Sequence, residues 1–142
     1  MRALGIDLGS KRIGVAVSDR SGTIASPLVV IARGKSQRVD HDEIARIARE
    51  EEVEAIVVGL PLNMDGSEGQ AAVAARREVE RMTTVVEVPV FLHDERRSTV
   101  QADNSMAQRN MNAIDRRSVV DKVAAAFILQ SWLDARSKES EQ

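Results

Sequence analysis

The chain alternates at its start. Leu4, Ile6 and Leu8 share one strand face and Ala3, Gly5 and Asp7 the other, and the next run repeats the pattern, with Ile13, Val15 and Val17 opposite Gly14, Ala16 and Ser18. Two such runs around Gly9-Ser10-Lys11-Arg12 predict a β-hairpin over residues 1–18. If the small faces coincide, Asp7 ends a strand on a surface that a helix, a metal or a ligand backbone can approach closely. The competing structural role for Asp7 is to accept backbone donors of the turn.

Residues 24–31 predict a third strand, with Pro27 marking an edge or a bulge. A polar, basic loop follows over 33–38. Asp40 or Asp42 is then expected to cap a helix reaching about Glu51, with Ile44, Ile47 and Ala48 on one stripe and His41 facing solvent. The apolar run 55–58, closed by Gly59-Leu60-Pro61, predicts a strand buried on both faces. After a loop of turn formers over 61–67, Ala72, Ala75, Val79 and Met82 predict a helix from about Glu68 to Met82. A fifth strand is expected over 87–92, ahead of His93-Asp94-Glu95-Arg96-Arg97. Ser98 to Gln101 has the form of a capping box and predicts a helix to about Gln108, and a basic connection spans 109–117. The last helix is expected over 118–135, with Asp121 in its first turn and Ala124, Ala125, Ile128 and Trp132 on its stripe. The tail 136–142 has no apolar residue and is expected to fray.

This order predicts an α/β fold, a mixed five-stranded sheet of three antiparallel strands then two parallel ones, flanked by helices. Asp7, Glu95 and Asp121 would meet near one end of that sheet. Alanines after Asp121 would let the last helix lie close against Gly14 and Ala16.

Composition narrows the chemistry. With 142 residues, 43% hydrophobic and 30% charged, a single domain over 1–135 is expected, and no apolar run approaches the roughly 20 residues of a membrane span. The start of the chain carries no signal-peptide pattern, so a cytoplasmic protein is expected. Cysteine is absent, which excludes disulfides, thiolate metal sites and cysteine nucleophiles. The net charge of -2 requires any polyanion to be met by a local basic patch, and three aromatic residues are too few for a base-stacking platform.

Four stretches carry a resemblance: Gly5 to Ala16, Ile56 to Gly66, Asp94-Glu95-Arg96, and Asp121 with Ala124-Ala125 and Ile128-Leu129-Gln130. In sequence and order they resemble the YqgF/RuvX family, Holliday junction resolvase-like and pre-16S rRNA processing nucleases with a ribonuclease H-like fold. The likeness runs from about Met1 to Ala135. It implies a divalent-metal phosphodiesterase centre of Asp7, Glu95 and Asp121, whose hard oxygens suit Mg²⁺ or Mn²⁺. Two such ions roughly 4 Å apart would activate a water and stabilise the leaving 3′ oxygen. One departure stands out: the wider superfamily's second acid falls on the fourth strand, where this chain has Val57-Val58-Gly59-Leu60, so Glu95 must reach across from the fifth. Asp94 is its rival.

Lys11 and Arg12, in the tight turn after Asp7, are placed to hold a phosphate. Arg96, Arg97, Arg109, Arg116 and Arg117 are candidates for the basic patch, and Asn63 and Asp65 for a substrate loop. His93, beside the acids, is a lesser candidate for proton transfer. The implied partner is nucleic acid, either structured RNA such as pre-16S rRNA or branched or single-stranded DNA, with possible ribosome association, for a monomer or weak homodimer. Two other classes compete: a non-catalytic ribosome-assembly factor, and a nucleotide-binding module of the actin-like type, whose first phosphate motif Gly5 to Gly9 also resembles.

Overall fold

The computed structural model describes residues 1–95 and 113–140, with side chains described over 1–95 and 120–137. Five strands form one sheet: β1 (Ala3–Leu8), β2 (Arg12–Ser18), β3 (Ala25–Ala32), β4 (Ala55–Leu60) and β5 (Val90–Asp94). Their order is β3-β2-β1-β4-β5. The first three are antiparallel neighbours, while β4 pairs parallel with β1 and with β5. The C-terminal ends of β1, β4 and β5 therefore share one edge of the sheet.

The small faces of the hairpin do coincide, since Asp7 stands opposite Gly14 and Gly5 opposite Ala16. Bulky side chains cover the other face, where Leu4, Ile6, Ile13, Val15, Ile56 and Val58 pack on α1 (Gln37–Glu50) and α2 (Gln70–Met82). A third described helix, α3 (Ala113–Ser140), lies on the small face, packing Ala125, Ile128, Leu129 and Trp132 against Ala3, Ala16, Ala55 and Val57. Pro27 sits on an edge strand beside a bulge, where Val15 pairs with Val29 but Ala16 pairs with Pro27.

Several boundaries differ from expectation. Ser36, rather than an aspartate, caps α1, its Oγ accepting from the Val39 N–H at 3.3 Å. β4 continues to Leu60, buried throughout. β5 begins after Pro89, whose carbonyl accepts from Ile56 N–H, so the strand ends on Asp94 instead of Leu92. The basic connection expected over 109–117 is helical from Ala113, which puts Arg116 and Arg117 on α3, and the tail stays helical to Ser140. There Arg136 stacks its guanidinium 4.8 Å from the Trp132 ring centroid, a contact a frayed tail would lack. Trp132 in turn meets Phe91 at 5.5 Å. The helix expected over 98–108, with Arg96, Arg97 and Arg109, lies outside the described residues. Among the described residues no helix is long and apolar enough to cross a membrane.

Candidate active site

Asp7 is the penultimate residue of β1 and projects from the small face toward α3. Its position depends on two glycines. A Cβ on Gly14, the residue opposite, would stand 2.0 Å from the carbonyl oxygen of Asp121, and one on Gly5 would stand 2.7 Å from the Leu129 Cβ. Without side chains there, α3 seats its backbone against the hairpin and delivers Asp121 beside Asp7. Asp121 lies eight residues after Ala113, so it is well inside the helix rather than in its first turn. The helix N-terminus therefore gives no account of this acid, since that field fades within a turn.

Glu95 follows β5 directly, its N–H donating to the Leu60 carbonyl at 3.3 Å. Its carboxylate lies over Gly59, where a Cβ would come within 2.3 Å of Oε2 and 2.6 Å of the Ile128 Cδ1. The fourth strand thus supplies space instead of an acid. Asp94 is exposed at the end of β5, while Glu95 is partly buried over Gly59.

The electrostatics follow from this crowding. Burial, and then the charge of Asp121, push the Asp7 carboxyl up to about 6. Burial, followed by the charges of Asp7 and Asp94, pushes Glu95 up to about 7. Asp121 is instead held by a cation, with Arg12 Nε donating to its Oδ2 at 2.6 Å. Among the described residues, no three acidic or histidine side chains form a ready metal cage. Asp7 feels the charge of Asp121 and Glu95 that of Asp7, while Asp121 is shared with Arg12.

The donor set nevertheless fits a hard divalent cation. Two desolvated carboxylates, Asp7 under the charge of Asp121 and Glu95 under that of Asp7, are relieved by positive charge placed among them. In the metal-free protein the sign is defined. Both folded-state values exceed the ordinary ones of 3.8 and 4.5, so the folded chain holds these protons more tightly. The two acids therefore lower stability progressively as pH rises, Asp7 from about 4 to about 6 and Glu95 from about 4.5 to about 7. Urea melts with chelator present should show this loss, and excess Mn²⁺ at pH 7.5 should restore stability; a cation-insensitive midpoint would count against the site.

Of the remaining candidates, Lys11, Asn63, Asp65 and His93 lie among the described residues, while the side chains of Arg116 and Arg117 lie outside those described. Lys11 is exposed at the hairpin turn, closed by Gly9 N–H donating to Arg12 carbonyl at 2.9 Å. Asn63 and Asp65 lie in the exposed loop after β4, at the same edge, and bond within it: Asn63 Nδ2 donates to Ser67 Oγ, and Asp65 Oδ1 accepts from the Ser67 N–H. His93 shares a 2.8 Å hydrogen bond with Ser131 Oγ, and burial lowers its pKa against the pull of Asp94. His41 does not face solvent. It is 1% exposed, with Nε2 at 2.9 Å from Glu78 Oε2. Arg33, Gly59 and Glu78 were not candidates from sequence; the available signal was an acid, Glu78, adjoining Val79 on the apolar stripe of α2.

The sequence pattern of the RuvX family, described as Holliday junction resolvase, matches residues 1–135. A "Putative pre-16S rRNA nuclease" of Myxococcus xanthus is 47% identical over 135 residues, 95% of this chain and 89% of its own. A protein of the same name from Anaeromyxobacter dehalogenans is 47% identical, over 96% of this chain and 99% of its own. Among solved structures, T. thermophilus RuvC in complex with Holliday junction substrate aligns with a TM-score of 0.60 at 18% identity, covering 97% of this chain and 96% of the other, a likeness of fold. Matched along nearly its whole length, with its four motifs in order, the chain belongs to the RuvX family.

Proposed function

We propose that the protein is a divalent-metal-dependent nuclease that hydrolyses phosphodiester bonds, with Asp7, Glu95 and Asp121 as its catalytic, metal-holding carboxylates. The observation that supports this reading is the crowding of Asp7 with Asp121 and Glu95, with two carboxyls pushed up to about 6 and 7 at one sheet edge. Mg²⁺ or Mn²⁺, when bound, would supply Lewis acidity and an activated water. Asp7, on a strand, gives the site a rigid base. Arg12 fixes Asp121 from the turn and limits the repulsion between that acid and Asp7. Lys11, beside it, offers an unburied cation to a backbone phosphate. Arg96, Arg97, Arg109, Arg116 and Arg117 extend this role as phosphate contacts, and Asn63 and Asp65 shape the loop beside the strand.

The substrate class is structured RNA, in keeping with the names of the relatives, and 5′-end maturation of pre-16S rRNA in the cytoplasm is the specific reaction proposed. Recognition rests on phosphate charge and shape, so affinity should fall steeply with salt. The deciding experiment offers a precursor 16S rRNA 5′ fragment, a four-way DNA junction and single strands to the purified protein with Mn²⁺ or Mg²⁺. Metal-dependent cutting of the RNA, leaving a 5′ phosphate, is the expected result. Preference for the junction would move the proposal to branched DNA, and inactivity on all substrates would favour a non-catalytic assembly role.

A further inference from the structure

On the bulky face of the sheet, behind the site, lies a cluster of charges that the proposed reaction does not use. Arg33 follows β3, with its side chain 18% exposed, and Glu78 and Asp40 flank it at 6% and 4%. Its Nη1 and Nη2 donate to the two carboxylate oxygens of Glu78 at 2.6 and 2.9 Å, a bidentate pair, and Nη1 also reaches Asp40 Oδ2 at 3.1 Å. Asp40 Oδ1 accepts from the Gly34 N–H at 2.7 Å, and His41 closes the cluster on Glu78. Burial raises the Glu78 carboxyl, but the bonds from Arg33 and His41 outweigh it and hold the acid below its usual range.

Such a cluster is a costly way to fill a core, because apolar groups of similar volume often serve stability as well or better. One donor distinguishes it. Arg33 Nε is not spent on an acid; it donates to the Gly9 carbonyl at 3.0 Å, while the Arg33 N–H donates to the Lys11 carbonyl at 3.0 Å. Arg33 thus holds both sides of the turn that follows Asp7 and carries Lys11 and Arg12, and α1 and α2 hold Arg33.

We propose that Arg33 is a positioning residue, which, anchored by Glu78, Asp40 and His41, fixes the Gly9–Arg12 turn so that Arg12 meets Asp121 and Lys11 faces the substrate phosphate. Its role in the reaction rests on the nuclease reading; its role in the turn does not.

Arg33→Lys keeps the charge and loses the planar fork. In ¹H–¹⁵N spectra, the Gly9 and Lys11 resonances should shift and Gly9 amide exchange should rise about tenfold, with Ile6 and Val15 unchanged. Cleavage should fall at least about tenfold. In a Lys11→Ala, Arg12→Ala background the same substitution should cost less than about twofold, because both of its paths to the chemistry are already cut. A merely structural role would make the two losses multiply, and that outcome overturns the proposal. Asp40→Asn, which keeps an acceptor for Gly34, should shift the same resonances less and serves where Arg33→Lys does not fold. Folded variants with an unperturbed Gly9 would also overturn it. If the wild-type protein cleaves nothing, the nuclease reading fails, and the Gly9 amide alone then decides whether the clamp exists.

Discussion

Asp7→Asn is expected to abolish metal-dependent cleavage, by about 10³-fold or more, while leaving the protein folded and, without metal above pH 7, more stable than the wild type. The activity loss follows from position. Asp7 is the acid whose charge interacts with both of the others, and losing several kcal/mol of transition-state stabilisation through a poorly held metal corresponds to about three decades in rate. The stability gain follows from the same crowding. A carboxyl moved from 3.8 to about 6 has gained about 2 units of proton affinity on folding, so ionising it at neutral pH costs on the order of 3 kcal/mol that an amide does not incur.

Opposite movement of activity and stability separates this reading from a structural one. Were Asp7 chiefly a partner for backbone donors in the turn, Asn would weaken the fold at every pH. Paired measurements decide it: single-turnover cleavage with Mn²⁺, and urea midpoints at pH 5 and pH 8 with chelator. The gain should appear at pH 8 and shrink at pH 5, where the wild-type carboxyl is largely protonated. Residual cutting near the wild-type rate would exclude Asp7 from the reaction, and a destabilised variant at pH 8 would remove the crowding argument. Adding Mn²⁺ should raise the wild-type midpoint and leave the variant nearly unmoved.

What could be read beforehand followed the strength of each local signal. Period-two alternation over Ala3 to Ser18, with small residues on one face, carried the hairpin, its register and the seat of α3, because Asp7 and Gly14 could pair in few other ways. Pro27 announced the edge and the bulge for a covalent reason, the lack of an N–H. Boundaries moved where tertiary contacts override propensity: the tail stays helical while Arg136 rests on Trp132, and Asp40 leaves the cap to Ser36 because Arg33 and Gly34 claim its carboxylate. His41 is buried, against expectation, for a related reason. Its flanking residues are polar, and only the fold brings Glu78 of α2 against it. Glu95 was legible as a strand-end acid, but its route over Gly59 was not, since a missing side chain leaves no periodic trace. Asp121 illustrates the reverse: its neighbourhood could be read from the alanines after it, yet its depth within α3 could not, because the residues before it look like a polar loop.

Gly14→Ala is expected to be the most damaging single-methyl change at the described site, lowering stability by roughly 3 kcal/mol or more and cleavage with it. The new Cβ would stand 2.0 Å from the Asp121 carbonyl oxygen and 2.5 Å from its carbonyl carbon, both backbone atoms of a long helix. An ordinary carbon–oxygen contact is about 3.3 Å, so α3 must retreat by about an ångström from a sheet that it covers from β3 across β2 and β1 to β4. No rotamer change relieves that clash. Because α3 carries Asp121, the retreat also pulls this acid away from Asp7 and Arg12, and the loss of rate should exceed what the unfolded fraction alone explains. For a chain of this size, such a loss lowers the melting temperature by about 10 °C. Gly59→Ala supplies the contrast. Its Cβ would meet the carboxylate end of Glu95 and a terminal methyl of Ile128, groups able to move aside. That variant should keep most of its stability and lose activity by displacing Glu95. Thermal melts beside single-turnover rates test both, and the reading fails if Gly14→Ala melts like the wild type or if Gly59→Ala keeps full activity.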